Sequence, residues 1–292
     1  MQFPNLIERL RMSLVEDSAF SDITTRQLPR FQKQVIHANV IAKEKGIYCG
    51  AFLLKPLFRL MDPKAEIELV KKDGQAITPG QILARLKATV SALLGGERVF
   101  LTKTAHLSGI ATLTNTFVKA VRGTPAKIYD TRKTTPLWRD LEKYAVRCGG
   151  GVNHRMSLGD AVLVKDNHIQ YLRSQGLLLT DAFGGRGSKR LKVKGSRFFE
   201  VEAQSYQDVW EAIKCGADYI MLDNMPYEKL KGAIALIQAA RRAKKSSFPQ
   251  IEISGGVTLK NVRRYAELGV ERISVGAITH SALSLDISME VD

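Results

Sequence analysis

Acidic residues are scarce in this chain: 29 aspartates and glutamates stand against 44 lysines and arginines, leaving a formal charge of +15 at pH 7. Cysteine is scarcer still. Cys49, Cys148 and Cys215 stand far apart with no CxxC or Cys/His ligand spacing, which speaks against a thiolate zinc site and for a reduced compartment. Long apolar runs are missing too; none approaches the roughly 18 to 20 residues that a membrane span requires. Residues Met1 to Asn5 offer neither a basic stretch nor an apolar one, so no secretion signal is read and a cytoplasmic location is expected. What is present has a globular balance. The 45% of hydrophobic residues is enough to build a core, and the 25% of charged residues does not describe a disordered chain.

The excess of base is compatible with nucleic acid, an anionic membrane surface, small anionic substrates or simply a soluble cationic surface. Its distribution narrows the choice. Six basic residues and no acid fall between Arg186 and Arg197. This stretch reads as a surface loop outside the chemistry that raises the local concentration of anionic substrates. Elsewhere basic residues sit singly at the ends of apolar runs, the pattern of site residues more than of a nucleic-acid stripe. No recognised nucleic-acid motif is present, so neither nucleic acid nor a membrane is expected as a partner.

The rhythm of the chain changes about a third of the way along. Leu6, Ile7, Leu10 and Leu14 recur at helical spacing and predict an opening amphipathic helix. Strand-like runs follow at 35–42, 46–52, 65–70 and 82–86, with turn residues Asp73-Gly74 and Pro79-Gly80 between the last two. This is the pattern of a small α+β module. A helical segment over 92–121, broken at Gly95-Gly96 and Gly109, leads out of it. From about residue 126 strands and helices alternate, with strands expected at 126–130, 161–165, 198–202, 219–222, 251–254 and 272–275. Repeated βα units imply a parallel sheet, and six strands predict an open, six-stranded α/β barrel. The expected division is an N-terminal α+β domain over 1–110 and a barrel over 111–292, with the last 15 or so residues packing back on the N-terminal domain.

Three successive expected strands end alike, at Leu222-Asp223-Asn224, Ser254-Gly255-Gly256 and Val275-Gly276-Ala277. Barrels keep their active sites at these strand ends, and the late glycine loops are a common phosphate site. Glu200 and Glu202 alternate along one strand and Asp223 ends the next. Carboxylates there need a cation, sugar hydroxyls or a metal; magnesium shared with substrate phosphates is one reading, and an internal salt bridge to Lys165 or Lys133 is the other. The densest cluster runs through Asp130–Pro136, Gly149–Arg155 and Lys165–His168. Its arginines, lysines and histidines lie among glycines rather than at helical-surface spacing. They read as a cradle for a small polyanion with more than one acidic group.

These segments, TRKTTP, EKYAVRCGGGVNHR, LVKDNHI, EVEAQS, MLDNM, ISGGVT and SVGAITHS, occur in this order. With Glu16-Asp17, Asp22-Ile23-Thr24-Thr25, Gly96-Glu97-Arg98 and Leu107–Thr112 upstream, they make the chain resemble the quinolinate phosphoribosyltransferases over nearly its whole length. The resemblance implies an N-terminal α+β sandwich with an open α/β barrel. The implied reaction joins quinolinate and phosphoribosyl pyrophosphate, with decarboxylation, into nicotinate mononucleotide, using magnesium and no organic cofactor. It further implies that Thr131, Arg132, Lys133, His154, Arg155 and Lys165 line the substrate pocket, and that Lys133, Lys165, Glu202 and Asp223 carry the catalysis. Glu202 and Asp223 would meet ribose and magnesium, and the backbone of Ser254, Gly255, Gly256, Val275, Gly276 and Ala277 would bind phosphate. Arg98 would reach the pocket from the other subunit of a homodimer. The chain departs from the family at Leu137-Trp138-Arg139, where Pro-Gly-Leu-Arg is usual after TRKTT, and its segment between Lys165 and Glu202 is longer. A relative recruited to another acid, such as the molybdenum-associated homologues, is disfavoured by the intact Asn153-His154-Arg155 and Lys165–His168.

Overall fold

The computed structural model describes residues 3–28, 30–184 and 195–291, so the basic stretch lies outside the described residues except for its end at Arg197. The chain divides into two compact units. One comprises Met1–Thr116, Thr135–Gly150 and Ser281–Asp292; the other comprises Phe117–Thr134 and Gly151–His280.

The first unit is built on an antiparallel sheet of four strands: β1 (Val35–Ala42), β3 (Glu66–Leu69), β5 (Ile82–Thr89) and β12 (Ile287–Val291), in the order β12-β1-β5-β3. Two short strands, β2 (Gly46–Ile47) and β4 (Ala76–Ile77), form a separate pair. Ala38, Val40 and Ala42 alternate with more exposed residues along β1, so that one face is buried as the period-two pattern requires. The chain's last strand belongs here, with Ala38 opposite Val291.

Two expectations fail in this unit. The run 46–52 is a strand only over Gly46–Ile47, because a helix, Ala51–Met61, begins within it. Asp73, 22 residues downstream of Ala51, accepts the N–H groups of Gly50 and Ala51 at 2.8 and 2.9 Å and so caps that helix from a distance. The segment 92–121 is one helix, Val90–Ala120, without breaks. Its glycines serve packing: a Cβ on Gly95 would stand 2.8 Å from the Ala19 carbonyl oxygen, and one on Gly109 would collide with that of Leu283. A helix interior tolerates glycine at a cost of about 1 kcal/mol relative to alanine, and here close approach of backbone supplies the reason.

The second unit is a six-stranded parallel sheet of β6 (Lys127–Tyr129), β7 (Val162–Val164), β8 (Phe199–Ala203), β9 (Tyr219–Asp223), β10 (Gln250–Ser254) and β11 (Arg272–Ser274), in the order β6-β11-β10-β9-β8-β7. These are the six strands expected. Among the described residues β6 and β7 do not pair with each other, which makes the barrel an open one. All residues of β8 and β11 are buried, as strands covered on both faces must be. The helix Tyr206–Cys215 after β8 is held by a reciprocal cap, in which Ser205 Oγ accepts the Asp208 N–H and Asp208 accepts the Ser205 N–H, and ends at left-handed Gly216. Such firm turns deliver the strand ends to one side of the barrel.

Candidate active site

A cavity of about 590 Å³ opens at the C-terminal ends of the six strands. Thr131, Arg132 and Lys133 enter it from the loop after β6, and His154 and Arg155 from the chain before β7. Lys165 follows β7, while Glu202 and Asp223 come from β8 and β9. Ser254, Gly255 and Gly256 after β10, and Gly276 and Ala277 after β11, complete the rim. Two expected residues stand apart. Val275 is sealed, 1% exposed, and its N–H donates to the Tyr129 carbonyl at 2.9 Å within the sheet, so it offers no donor to a phosphate. Arg98 is exposed on the helix Val90–Ala120 of the first unit.

Asp130, at the end of β6, is the hub of the cationic wall. It is fully buried, and its carboxylate accepts the backbone N–H of His154 at 2.9 Å and the side-chain amide of Asn153 at 2.5 Å. Arg155 is buried and donates to the Ala161 carbonyl at 3.2 Å. Burial, and then the neighbouring charge of Arg132, pull the Arg155 guanidinium below its ordinary range. Arg132 in turn keeps its Nε buried with no hydrogen-bond partner among the described residues. Glu200, Asp160 and Glu202 oppose the shift of Arg155, and an anion joining the two guanidiniums would add to their support. Lys133 is more exposed; its carbonyl accepts from the Thr279 hydroxyl at 2.7 Å, which ties the loop after β6 to the short helix Ala277–His280.

Opposite in charge, Glu202 is buried and lies 3.1 Å from Lys165 Nζ, so the internal salt bridge is formed with Lys165 and not Lys133. Burial raises the Glu202 carboxyl above its usual range, Lys165 opposes that, and the charge of Asp223 adds to it. Asp223 accepts from the Asn224 amide at 2.7 Å. Asn224 has φ +52° and Gly255 φ +83°, and a Cβ on Gly255 would collide with the Asn224 side chain. Glycine is therefore required for the two neighbouring strand ends to approach this closely.

The cavity also takes in Asn224, at one of the expected strand ends, and Met221, Thr258, Ser274 and His280, which were not expected there. Of these His280 was visible within SVGAITHS: four residues after Gly276, it returns over that glycine, so that a Cβ there would meet His280 Nε2 at 3.2 Å. His154 meets the cavity differently from expectation. Nδ1 accepts the Arg155 N–H at 2.8 Å and Nε2 lies 2.9 Å from Glu200 Oε2, so both nitrogens face into the protein.

The departure at residue 137 has a local explanation. Leu137 takes φ +65°, a left-handed conformation in which the glycine usual at this place is at ease. Its carbonyl accepts from Arg9 at 2.5 Å, Arg9 pairs with both oxygens of Asp140 at 2.8 and 2.9 Å, and Lys103 Nζ sits 3.8 Å above the Trp138 ring.

An open α/β barrel whose mouth gathers arginines and lysines, two carboxylates and paired glycine turns is the frame of an enzyme that handles a small polyanion. Comparison with known proteins makes this specific. Residues 22–108 match the family described as quinolinate phosphoribosyl transferase, N-terminal domain, and residues 110–290 match its C-terminal domain. The chain is 40% identical over 291 residues to a probable nicotinate-nucleotide pyrophosphorylase [carboxylating] of Bacillus subtilis (strain 168), covering 100% of this chain and 95% of that one. It is 36% identical over 295 residues to the nicotinate-nucleotide pyrophosphorylase [carboxylating] of Mycobacterium leprae (strain TN), covering 99% and 98% of the two chains. The crystal structure of NadC from Streptococcus pyogenes superposes with a TM-score of 0.84 at 36% identity, over 99% of this chain and 98% of that one. The chain belongs to the quinolinate phosphoribosyltransferase family.

Proposed function

We propose that this protein transfers the phosphoribosyl group of phosphoribosyl pyrophosphate to quinolinate, releasing pyrophosphate and carbon dioxide and leaving nicotinate mononucleotide, a step of NAD biosynthesis. The single observation that carries this reading is the wall formed by Arg132 and Arg155. Burial, and then the charge of Arg132, destabilise the Arg155 guanidinium, and the buried Arg132 Nε has no partner among the described residues, so a ligand with more than one acidic group would serve both.

Arg132, Arg155 and Lys133 hold the two carboxylates of the pyridine and aim its nitrogen at the ribose C1. The nitrogen's electron pair forms the new bond as the bond to pyrophosphate breaks, leaving positive charge at C1 and negative charge on the leaving group. Glu202 and Asp223 favour the former and bind the ribose hydroxyls, while Lys165 balances Glu202. Backbone at Ser254, Gly255, Gly256, Gly276 and Ala277 receives phosphate. With the ring nitrogen quaternary, the adjacent carboxylate leaves as carbon dioxide; its bonding electrons pass into the ring, and a proton takes its place. Glu202 and Asp223 are hard oxygen donors facing the same cavity and suit magnesium held largely through the substrate. Magnesium, when bound, would neutralise charge growing on the pyrophosphate.

Arg98 is read as acting from the partner subunit of a homodimer, and the location as cytoplasmic. The functional division is read as 1–110 and 111–292. Incubation with quinolinate, phosphoribosyl pyrophosphate and magnesium should yield nicotinate mononucleotide and pyrophosphate in equal amounts. Absence of the mononucleotide at any magnesium concentration would overturn the assignment.

A further inference from the structure

Beneath the cavity the barrel interior is charged where aliphatic side chains ordinarily fill it. Glu200 of β8, Glu252 of β10, Arg272 of β11 and His154 are all buried. His154 Nε2 lies 2.9 Å from Glu200 Oε2 and 3.6 Å from Glu252 Oε2, and Arg272 Nη1 lies 3.8 Å from the latter. Ser274 Oγ donates to the other Glu252 oxygen at 2.5 Å. The Arg272 guanidinium stacks 3.3 Å above the Tyr219 ring, which keeps it in this layer. Glu200 is 0% exposed and does not line the cavity.

The other ring nitrogen settles which proton His154 carries. Because Nδ1 accepts the Arg155 N–H, it presents a lone pair, and the ring's proton sits on Nε2, toward Glu200. The same reasoning decides what the cluster holds. His154, Glu200 and Glu252 bring three ligand atoms within 4.8 Å of one another, near enough for a cation. A metal, however, would take the Nε2 lone pair and drive the proton to Nδ1, against the Arg155 N–H.

We propose that Glu200, backed by Glu252, is a positioning residue for the dicarboxylate clamp: it holds the His154 proton on Nε2, leaves Nδ1 to the Arg155 backbone, and so sets where the Arg155 guanidinium stands. The proposal rests on the reading of Arg155 as a carboxylate-binding residue. Without an acceptor at Glu200 the Nδ1–H form of His154 becomes available, its proton opposes the Arg155 N–H, and the clamp loses its register. The phosphoribosyl half of the cavity, supported by Glu202, Asp223 and the glycine turns, is untouched by this change.

The test compares Glu200→Leu, Glu200→Gln and Arg155→Ala with the native enzyme, reading KM for quinolinate, KM for phosphoribosyl pyrophosphate, kcat and Tm. Glu200→Leu removes one carboxylate and leaves Arg272 paired with Glu252, so Tm should not fall. Its KM for quinolinate should rise tenfold or more (about 1.4 kcal/mol) while KM for phosphoribosyl pyrophosphate stays within about twofold. Glu200→Gln, which keeps an oxygen toward Nε2, should recover most of the quinolinate affinity. A native quinolinate KM in Glu200→Leu, an equal rise in both KM values, or no rescue by glutamine overturns the proposal. Arg155→Ala separates the two readings: if it leaves the quinolinate KM unchanged, the clamp itself is misassigned. If it raises KM and Glu200→Leu does not, only the positioning role fails. Should Glu200→Leu fail to fold, long-range 15N–1H correlation of the histidine rings in the native enzyme decides the matter, with His154 assigned by loss of its signal in His154→Gln. The Nε2–H form is expected, and an Nδ1–H or doubly protonated ring refutes the proposal.

Discussion

The mouth and the floor of the barrel are made of the same kinds of side chain and behave in opposite ways. At the floor Glu200, Glu252 and Arg272 are buried with His154, which also reaches the cavity, and the four face one another at 2.9 to 3.8 Å. At the mouth Lys165 keeps about half of its side chain in solvent (47%) while its partner Glu202 is 6% exposed. Charge that is closed on itself organises structure, whereas charge left open beside a cavity is available to a ligand. Burial alone therefore does not identify a site: Glu200 and Glu252, both 0% exposed, lie below the chemistry.

The largest test of this contrast is made at the mouth. Nicotinate offers one carboxylate where quinolinate offers two, so part of the Arg132 and Arg155 charge would stay unpaired in a desolvated wall. Such a loss is worth on the order of 2 to 5 kcal/mol, roughly 30-fold to several thousand-fold in kcat/KM. Steady-state assays with the two acids should show that range, and comparable turnover would mean that the wall is not a dicarboxylate clamp.

A smaller effect distinguishes the floor. Burial first, opposed by Arg272, pushes Glu200 up to about 7 from its ordinary 4.5; burial, and then the charge of Glu200, push Glu252 up to about 7 as well. Each group then binds its proton more tightly folded than unfolded. The floor accordingly contributes most stability at the acid end and loses it as pH rises from about 4.5 through about 7. The unfolding free energy of the native chain, taken relative to a Glu200→Gln/Glu252→Gln double variant, should fall across that window in denaturant titrations. A difference that grows with pH would show that the floor is not sealed.

The smallest effect lies outside both regions and serves as their control. Leu137→Gly relieves a left-handed leucine at φ +65°, worth about 1 to 2 kcal/mol, against a loss of about 0.5 to 1 kcal/mol from the freer unfolded chain. A gain of up to about 1.5 kcal/mol in thermal unfolding, with unchanged KM for both substrates, is expected. A destabilised variant would mean that the Leu137 side chain, exposed as it is, holds the loop in place.

Local pattern was enough for much of the architecture. The six barrel strands were legible because each is a short apolar run ending in a polar or glycine turn, and a strand buried on both faces has no other way to be written. The opening helix, Leu6–Glu16, was legible from the helical spacing of Leu6, Ile7, Leu10 and Leu14. The helix Ala51–Met61 was not, since its cap comes from Asp73, far along the chain. Nor was the continuity of Val90–Ala120, where glycines that locally read as breaks are seats for Ala19 and Leu283.

The site divides along the same line. Sequence alone determined which residues bring charge to the strand ends, because a βα repeat puts every strand's C-terminus on one side whatever the side chains do afterwards. Tertiary structure decided how those residues are engaged. It closed the Val275 N–H into the sheet, turned both nitrogens of His154 inward, made Lys165 the partner of Glu202, and set Glu200 below the cavity while Glu202, two residues on, faces it. Those outcomes depend on distances between strands remote in sequence and on which polar groups burial leaves without water, and neither quantity exists until the barrel has formed.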